Sequence, residues 1–282
     1  MKFSLYSGFN QTVGEKGLQE TAAWAQKNGY SCVEFLQLDA ENWCKIVETP
    51  EQAAQVKQTL LCHGLTVSCY SVAVNLLNGQ AAVEYLKSQA DLAAALGAPF
   101  LHHTLIDSLS FDENAPAFDE VFEQILNRAT EVAKYCQSLG ITCLYEEQGF
   151  YFNGIKNLKQ FFKAIKKRCK NVGICGDFGN ILFVDESPVR FLRAFKRDIK
   201  HVHLKDYVYT KNIDVFPDKE CWLKTKKGGY VKDVPFGSGV IDVKKCFKIL
   251  RSAKYNGVFS LELIQPTVNN SAAMELSKSL FE

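Results

Sequence analysis

Short apolar runs that alternate at a period of two take turns along this chain with longer stretches whose apolar residues recur every three or four positions. The most informative run is IKHVHLKD, Ile199 to Asp206. As a strand it sends Val202 and Leu204 one way and His201, His203 and Lys205 the other. Two imidazoles and an ammonium on one strand face mean either a wetted surface or part of a site, and the other strands decide which.

Taken in order, the first strand-like run is Phe3 to Phe9, followed by Leu18, Ala22 and Ala25 at helical spacing and a stop at Gly29. CVEFLQL begins at Cys32. Thr49-Pro50-Glu51-Gln52 is a capping box with Pro at the first helical position. That helix ends near Gly64, and LTVSCYSV follows from Leu65. Val83, Leu86, Ala90, Ala93 and Leu96 form the next stripe, closed by Gly97 ahead of PFLHHTL. The longest helix carries Val121, Ile125, Ala129, Val132 and Cys136 on one face, and Gly140 ends it before ITCLYEEQ. Leu158, Phe161, Phe162 and Ile165 mark a fifth helix ahead of VGICGD at Val172. Ser187-Pro188 caps and starts a sixth, which leads into IKHVHLKD. Asp242 caps a helix through Cys246, Ile249 and Leu250; Gly257 introduces VFSLEL; Ser271 to Leu280 is a last helical segment.

Eight strand candidates, each followed by a helix candidate, predict a parallel sheet, and eight units predict a single (β/α)8 TIM barrel over residues 1–282. One stretch breaks the rhythm. Residues 207–239 form a long loop that, following a strand, would lie over the C-terminal mouth as a surface excursion or an active-site lid.

Composition narrows the partners. The chain is 47% hydrophobic and 23% charged, and no run approaches the ~18 apolar residues of a membrane span. The start, MKFSLYSGFNQT, enters a strand pattern directly, so no signal peptide and a cytoplasmic location are expected. A net charge of +2 gives no reason to expect nucleic acid or an anionic membrane. The ten cysteines contain no CxxC pair, and Cys32, Cys69, Cys143 and Cys175 sit in apolar runs, as reduced thiols do.

In such a barrel the chemistry comes from residues at the C-terminal strand ends. Here these are Glu34, Ser71, His102 or His103, Glu146 or Glu147, Asp177, His203 with Lys205, and Glu262. A lone Glu at a strand end is more often a solvated rim residue, and Asp177 before Phe-Gly-Asn suits a turn. Three carboxylates and an imidazole at four strand ends, in barrel order, instead suit one divalent cation such as Mn²⁺, Co²⁺, Mg²⁺ or Zn²⁺. Tyr6, Asn10, Glu34, Tyr70, Ser71, the His102-His103 pair and Asn180 would wall a polar pocket, with an aromatic such as Trp222 available to stack on an apolar face. A sugar or polyol fits that wall, and the lack of a Gly-rich phosphate loop favours the free sugar over its phosphate.

LYEEQGF around Glu146, ICGDFGN around Asp177, HVHLKD, and FGSGVID followed by YNGVFSLEL resemble the sugar phosphate isomerase/epimerase superfamily of xylose isomerase-like TIM barrels, over essentially the whole chain. The resemblance implies one divalent metal ion held by Glu146, Asp177, His203 and Glu262, with Glu147 as a neighbour. It implies proton transfer next to a carbonyl through an enediolate, Glu146 and Glu262 as the acid/base pair and Lys205 near the substrate. Asn180 stands where relatives often have His. The same stretches resemble inosose dehydratases, lyases that share the first step. Endonuclease IV shares the barrel but needs a three-metal cluster rich in His, and this chain has five histidines and none at position 180. A non-catalytic sugar-binding barrel is the remaining alternative. Homo-oligomers are common among such barrels and compatible with this sequence.

Overall fold

The computed structural model describes residues 1–38, 43–106, 116–148, 154–263 and 266–281, the last segment by backbone alone through 269. Gly149 and Phe150 of the LYEEQGF stretch lie outside the described residues. The element order is β1 (Lys2–Leu5), α1 (Phe9–Lys16), α2 (Leu18–Lys27), β2 (Cys32–Gln37), α3 (Pro50–Cys62), β3 (Thr66–Val72), α4 (Gln80–Leu96), β4 (Phe100–His103), α5 (Phe118–Ser138), β5 (Thr142–Tyr145), α6 (Ile155–Arg168), β6 (Val172–Asp177), α7 (Pro188–Phe195), β7 (Ile199–Leu204), β8 (Asp206–Thr210), β9 (Leu223–Lys224), β10 (Tyr230–Val234), α8 (Val243–Ser252), β11 (Val258–Leu261) and α9 (Pro266–Phe281). Eight parallel strands close into a barrel in the order β1-β11-β7-β6-β5-β4-β3-β2. The (β/α)8 TIM barrel expected from the pattern is therefore the fold.

Alternation divides each strand between helices and lumen. Phe35 packs on Phe9, Tyr145 on Phe161 of α6, and Phe259 on Phe247 of α8, all on the helix side. Tyr70 also faces outward, donating its hydroxyl to Gln89 of α4, so it does not wall a pocket as expected. In the lumen Cys69, Leu144 and Cys175 cluster with Phe100, and Ser4 bonds Ser68 at 2.8 Å. Two register shifts set which residues follow them inward. Val33 pairs with Val67 and Glu34 with Cys69, skipping Ser68; Ile174 pairs with Ile199 and Cys175 with His201, skipping Lys200. A one-residue bulge reverses the face of every later residue, so Lys200 stays exposed while His201, His203 and Lys205 turn into the barrel.

Several local expectations need adjustment. The run Phe3 to Phe9 splits, because Gly8 at φ 76° ends the extended chain and starts the short helix α1, which carries no strong apolar stripe. Thr49 and Gln52 form the reciprocal capping box, and Asp242 accepts from Lys245 N. Ser187 occupies the cap position of α7 without a side-chain hydrogen bond, leaving Pro188 to set the start. The last helix begins at Pro266 rather than Ser271. Among the described residues no helix is long and apolar enough to cross a membrane.

The excursion after β7 is not a bare loop. β8, β10 and β9 form an antiparallel sheet in that order, favoured by the aromatic and β-branched alternation of DYVYT and YVKDV. Two carboxylates tie it down. Asp206 accepts from the backbone N–H groups of Tyr207, Gly237, Gly239 and Ile241. Asp185 accepts from Tyr209 Oη, Thr225 Oγ1 and Lys227 N. The sheet thereby sits at the C-terminal mouth, with Tyr207 edge-on to Phe183.

Candidate functional site

At that mouth the lumen-facing ends of β5, β6, β7 and β11 converge. One ligand atom from each of Glu146, Asp177, His203 and Glu262 lies within 4.8 Å of the others. His203 Nδ1 is 2.8 Å from Glu146 Oε1 and 3.2 Å from Glu262 Oε2. Lys205 Nζ is 2.7 Å from Glu262 Oε1 and 3.3 Å from Asp177 Oδ2, and it donates to Asn180 Oδ1 at 3.0 Å. Asp177 Oδ1 is fixed by the backbone N–H groups of Gly179 and Asn180, whereas Oδ2 accepts no hydrogen bond among the described residues. Gly179 permits this packing: a Cβ there would come within 2.4 Å of the Tyr207 ring and 2.8 Å of Lys205 Cγ.

The charges of the cluster lean on one another. Burial opposes ionisation of Glu146, yet His203, His102 and Lys205 hold its pKa down to about 2. Burial pushes Asp177 up to about 7; Lys205 opposes the shift, and Glu146 and Glu262 add to it. Burial likewise disfavours charge on His203 and Lys205. Both are nonetheless held well above their ordinary values, His203 by Cys175, Glu34 and Glu146, and Lys205 by Asp177 and Glu262. Three carboxylates and one imidazole in one cluster, with Asp177 Oδ2 accepting no hydrogen bond among the described residues, are a donor set that fits a divalent cation of the oxygen- and imidazole-binding kind.

The residues expected to touch substrate separate into two groups. Tyr6 stacks on His203 with ring centroids 4.9 Å apart, and Asn180 holds Lys205. Tyr6, Ser7, Asn10, Gln11, Trp43 and Glu262 line a cavity of about 190 Å³ beside the cluster. Asn10 is largely occupied, donating to Cys44 O and accepting from Leu36 N. His102 faces the lumen, with Nε2 3.6 Å from Glu146 Oε2. The others are corrections. His103 points to the helix side, its ring edge-on to Tyr145 and its Nδ1 at Thr104 O, because it neighbours an inward residue on a strand. Glu34 and Ser71 are buried beneath the mouth and bonded to protein groups, so neither is a pocket wall. Trp222 packs on Phe216 and donates to Asp218 within the excursion, and does not line the cavity.

Sequence reasoning missed three residues at this site. Trp43 lines the cavity and donates to Leu36 O, although it follows a strand with no polar motif beside it. Asp233 of β10 pairs in register with Tyr207 and feels the charges of Lys205 and Glu262. Ser260, one layer below Glu262, donates to Glu34. Only the period-two spacing of Ser260 and Glu262 in VFSLEL signals any of them. Glu147, the alternative to Glu146, is fully buried with neither oxygen hydrogen-bonded among the described residues, and burial with Asp177 and Glu146 nearby keeps its pKa well above the carboxylate range.

Comparison with known proteins follows the same lines. An inosose dehydratase from Bacillus anthracis is 30% identical over 156 residues, covering 54% of this chain and 51% of the relative. The chain thus spans about half the length of that curated relative. Among solved structures, a D-psicose 3-epimerase from Clostridium cellulolyticum with D-tagatose superposes with a TM-score of 0.72 at 14% identity, covering 100% of each chain. A xylose isomerase-like TIM barrel protein from Mycobacterium smegmatis in complex with magnesium gives 0.70 at 15% identity, covering 94% of this chain and 89% of the other. At these identities the structural likeness shows the fold. The family model for xylose isomerase-like TIM barrels matches residues 22–280, and the chain belongs to that family.

Proposed function

We propose that this protein is a divalent-metal-dependent enzyme that moves a proton next to the carbonyl of a small sugar or polyol ketone. The observation that carries the reading is the cluster of Glu146, Asp177, His203 and Glu262 within 4.8 Å, next to a small cavity. Those four side chains would hold the ion. When bound, it would polarise the substrate carbonyl and offset the negative charge that develops on oxygen.

The chain's own groups do the rest. Glu146 and Glu262 are the acid/base pair: one carboxylate takes the proton from the carbon beside the carbonyl, and the electron pair moves into the enediolate. Return of a proton to the same carbon from the other side inverts it, and return to the neighbouring carbon exchanges aldose for ketose. Lys205, bonded to Asn180 and 2.7 Å from Glu262, would orient a substrate oxygen. Tyr6 and Trp43 give the pocket an aromatic side for the apolar face of the sugar.

A second reading uses the same first step. The inosose dehydratase relative favours a lyase in which the electron pair of the enolate expels a β-hydroxyl, which leaves as water after taking up a proton. Lys205, 2.7 Å from Glu262, would supply that proton.

Incubation in D₂O with inososes and common ketoses tests both. Wild-type protein with Mn²⁺ is expected to exchange the α-proton of its substrate, and Glu146→Gln and Glu262→Gln to lose the exchange. Undiminished exchange in both variants would overturn the acid/base assignment. In a parallel reaction in H₂O, a product 18 mass units lighter identifies the lyase, and an isomer of unchanged mass the isomerase.

A further inference from the structure

Beneath the proposed metal cluster lies a carboxylate that neither substrate nor solvent can reach. Glu34 is 0% exposed, on β2, one layer below the mouth. Four donors from three other strands converge on it. Oε1 receives Ser71 Oγ at 2.6 Å and His203 Nε2 at 3.0 Å; Oε2 receives His201 Nε2 at 2.7 Å and Ser260 Oγ at 2.5 Å. An ionised carboxylate offers about four lone-pair sites, so all are used.

The bonds fix hydrogen positions on both imidazoles at the mouth. An ionised Glu34 only accepts, so His203 must keep its proton on Nε2, and Nδ1 is the nitrogen turned toward Glu146 and Glu262. The single Ser71 hydroxyl hydrogen is committed to Glu34. Ser71 can therefore only accept from His102, 3.0 Å away, which puts the His102 proton on Nδ1. His102 Nε2, buried and without a hydrogen bond among the described residues, then presents a lone pair on the Glu146 side.

We infer that Glu34 is a positioning residue that sets the tautomers of His203 and, through Ser71, of His102, turning Nδ1 of the metal-binding imidazole toward Glu146 and Glu262 and leaving a hydrogen-bond acceptor at His102 Nε2 in the lumen. This inference rests on the metal reading given above. A ligating histidine gains basicity and a fixed ring orientation from a carboxylate on its other nitrogen, and loss of such a partner typically weakens metal binding about 10- to 100-fold.

Two-bond ¹H–¹⁵N spectra of histidine-labelled, Zn²⁺-loaded wild-type protein are expected to show His203 protonated at Nε2 and bound through Nδ1, with His102 protonated at Nδ1. The opposite tautomer at either histidine would overturn the assignment. In Mn²⁺ titrations followed by electron paramagnetic resonance, Glu34→Gln should bind about 10- to 100-fold more weakly than wild type. Ser71→Ala keeps the Glu34–His203 bond, so it should retain Mn²⁺ affinity within about threefold and lose the single His102 tautomer. Equal Mn²⁺ affinity in wild type and folded Glu34→Gln overturns the role of Glu34 alone. If the wild type takes up no divalent ion, the metal reading itself fails. If Glu34→Gln does not fold, the wild-type and Ser71→Ala spectra carry the test.

Discussion

Lys205 and Glu262, at the ends of the adjacent strands β7 and β11, meet at 2.7 Å, and the same ammonium stands 3.3 Å from Asp177. The lysine is the neutralising charge for two of the four clustered groups. Lys205→Met leaves those carboxylates facing each other, with an expected cost of about 3 kcal/mol, moderated because Glu262 is 30% exposed. A divalent cation can replace the missing charge. Mn²⁺ should therefore raise the melting temperature of Lys205→Met by more than that of the wild type, and equal shifts in the two proteins would contradict this account.

Asp206 staples the excursion to the barrel through four backbone N–H groups. Asparagine has one acceptor oxygen, so Asp206→Asn leaves two of these donors, at Gly237 and Gly239 or at Tyr207 and Ile241, facing an amide NH₂. An unsatisfied buried donor costs about 1–3 kcal/mol and a part-exposed one less, so a total loss of about 1–3 kcal/mol is expected in urea unfolding. Hydrogen exchange should accelerate at Gly237, Gly239 and Ile241 ahead of the barrel strands.

Gly179 matters for space rather than for backbone freedom, since its φ of −119° is open to any residue. An added methyl would collide with the Tyr207 ring and Lys205 Cγ. Gly179→Ala is expected to cost about 1–3 kcal/mol by overpacking. Because Lys205 must move to relieve the contact, turnover should fall as well. Unchanged stability and turnover together would show that the mouth yields more easily than its packing indicates.

Asp242 caps α8 from a position remote from the site. Its side-chain and backbone bonds to Lys245 hold its pKa below the ordinary value. A carboxylate depressed in the folded state contributes stability above its unfolded pKa of about 3.9 and loses it as pH falls through the lower folded value. Asp242→Ala should thus cost about 1 kcal/mol near neutral pH, with the gap to wild type closing below about pH 4. Thermal melts of both proteins across that range check the sign.

Much of this architecture is written locally. The capping box at Thr49, the helical stripes and the period-two runs identify barrel strands and their helices, because each signal lies within a few neighbouring residues. His203 and Glu262 were legible for the same reason, each ending an alternating strand. Glu34 was legible as a strand-end acid but not as a buried hub, since its partners Ser71, His201, His203 and Ser260 come from strands up to 226 residues away. His103 shows the same limit: period two says that it opposes His102, not which of them faces the lumen.

The sequence by itself determined the number and kind of elements and the chemistry available at the strand ends. Tertiary structure decided depth and direction. Barrel closure and the bulges at Ser68 and Lys200 turned Glu34, His201 and His203 into one hydrogen-bonded layer, and the sheet of the excursion brought Asp233 to the mouth. The physical reason is that alternation is a property of one strand. Which face is inside, and how far below the rim a side chain ends, follow only from the register of each strand against its neighbours.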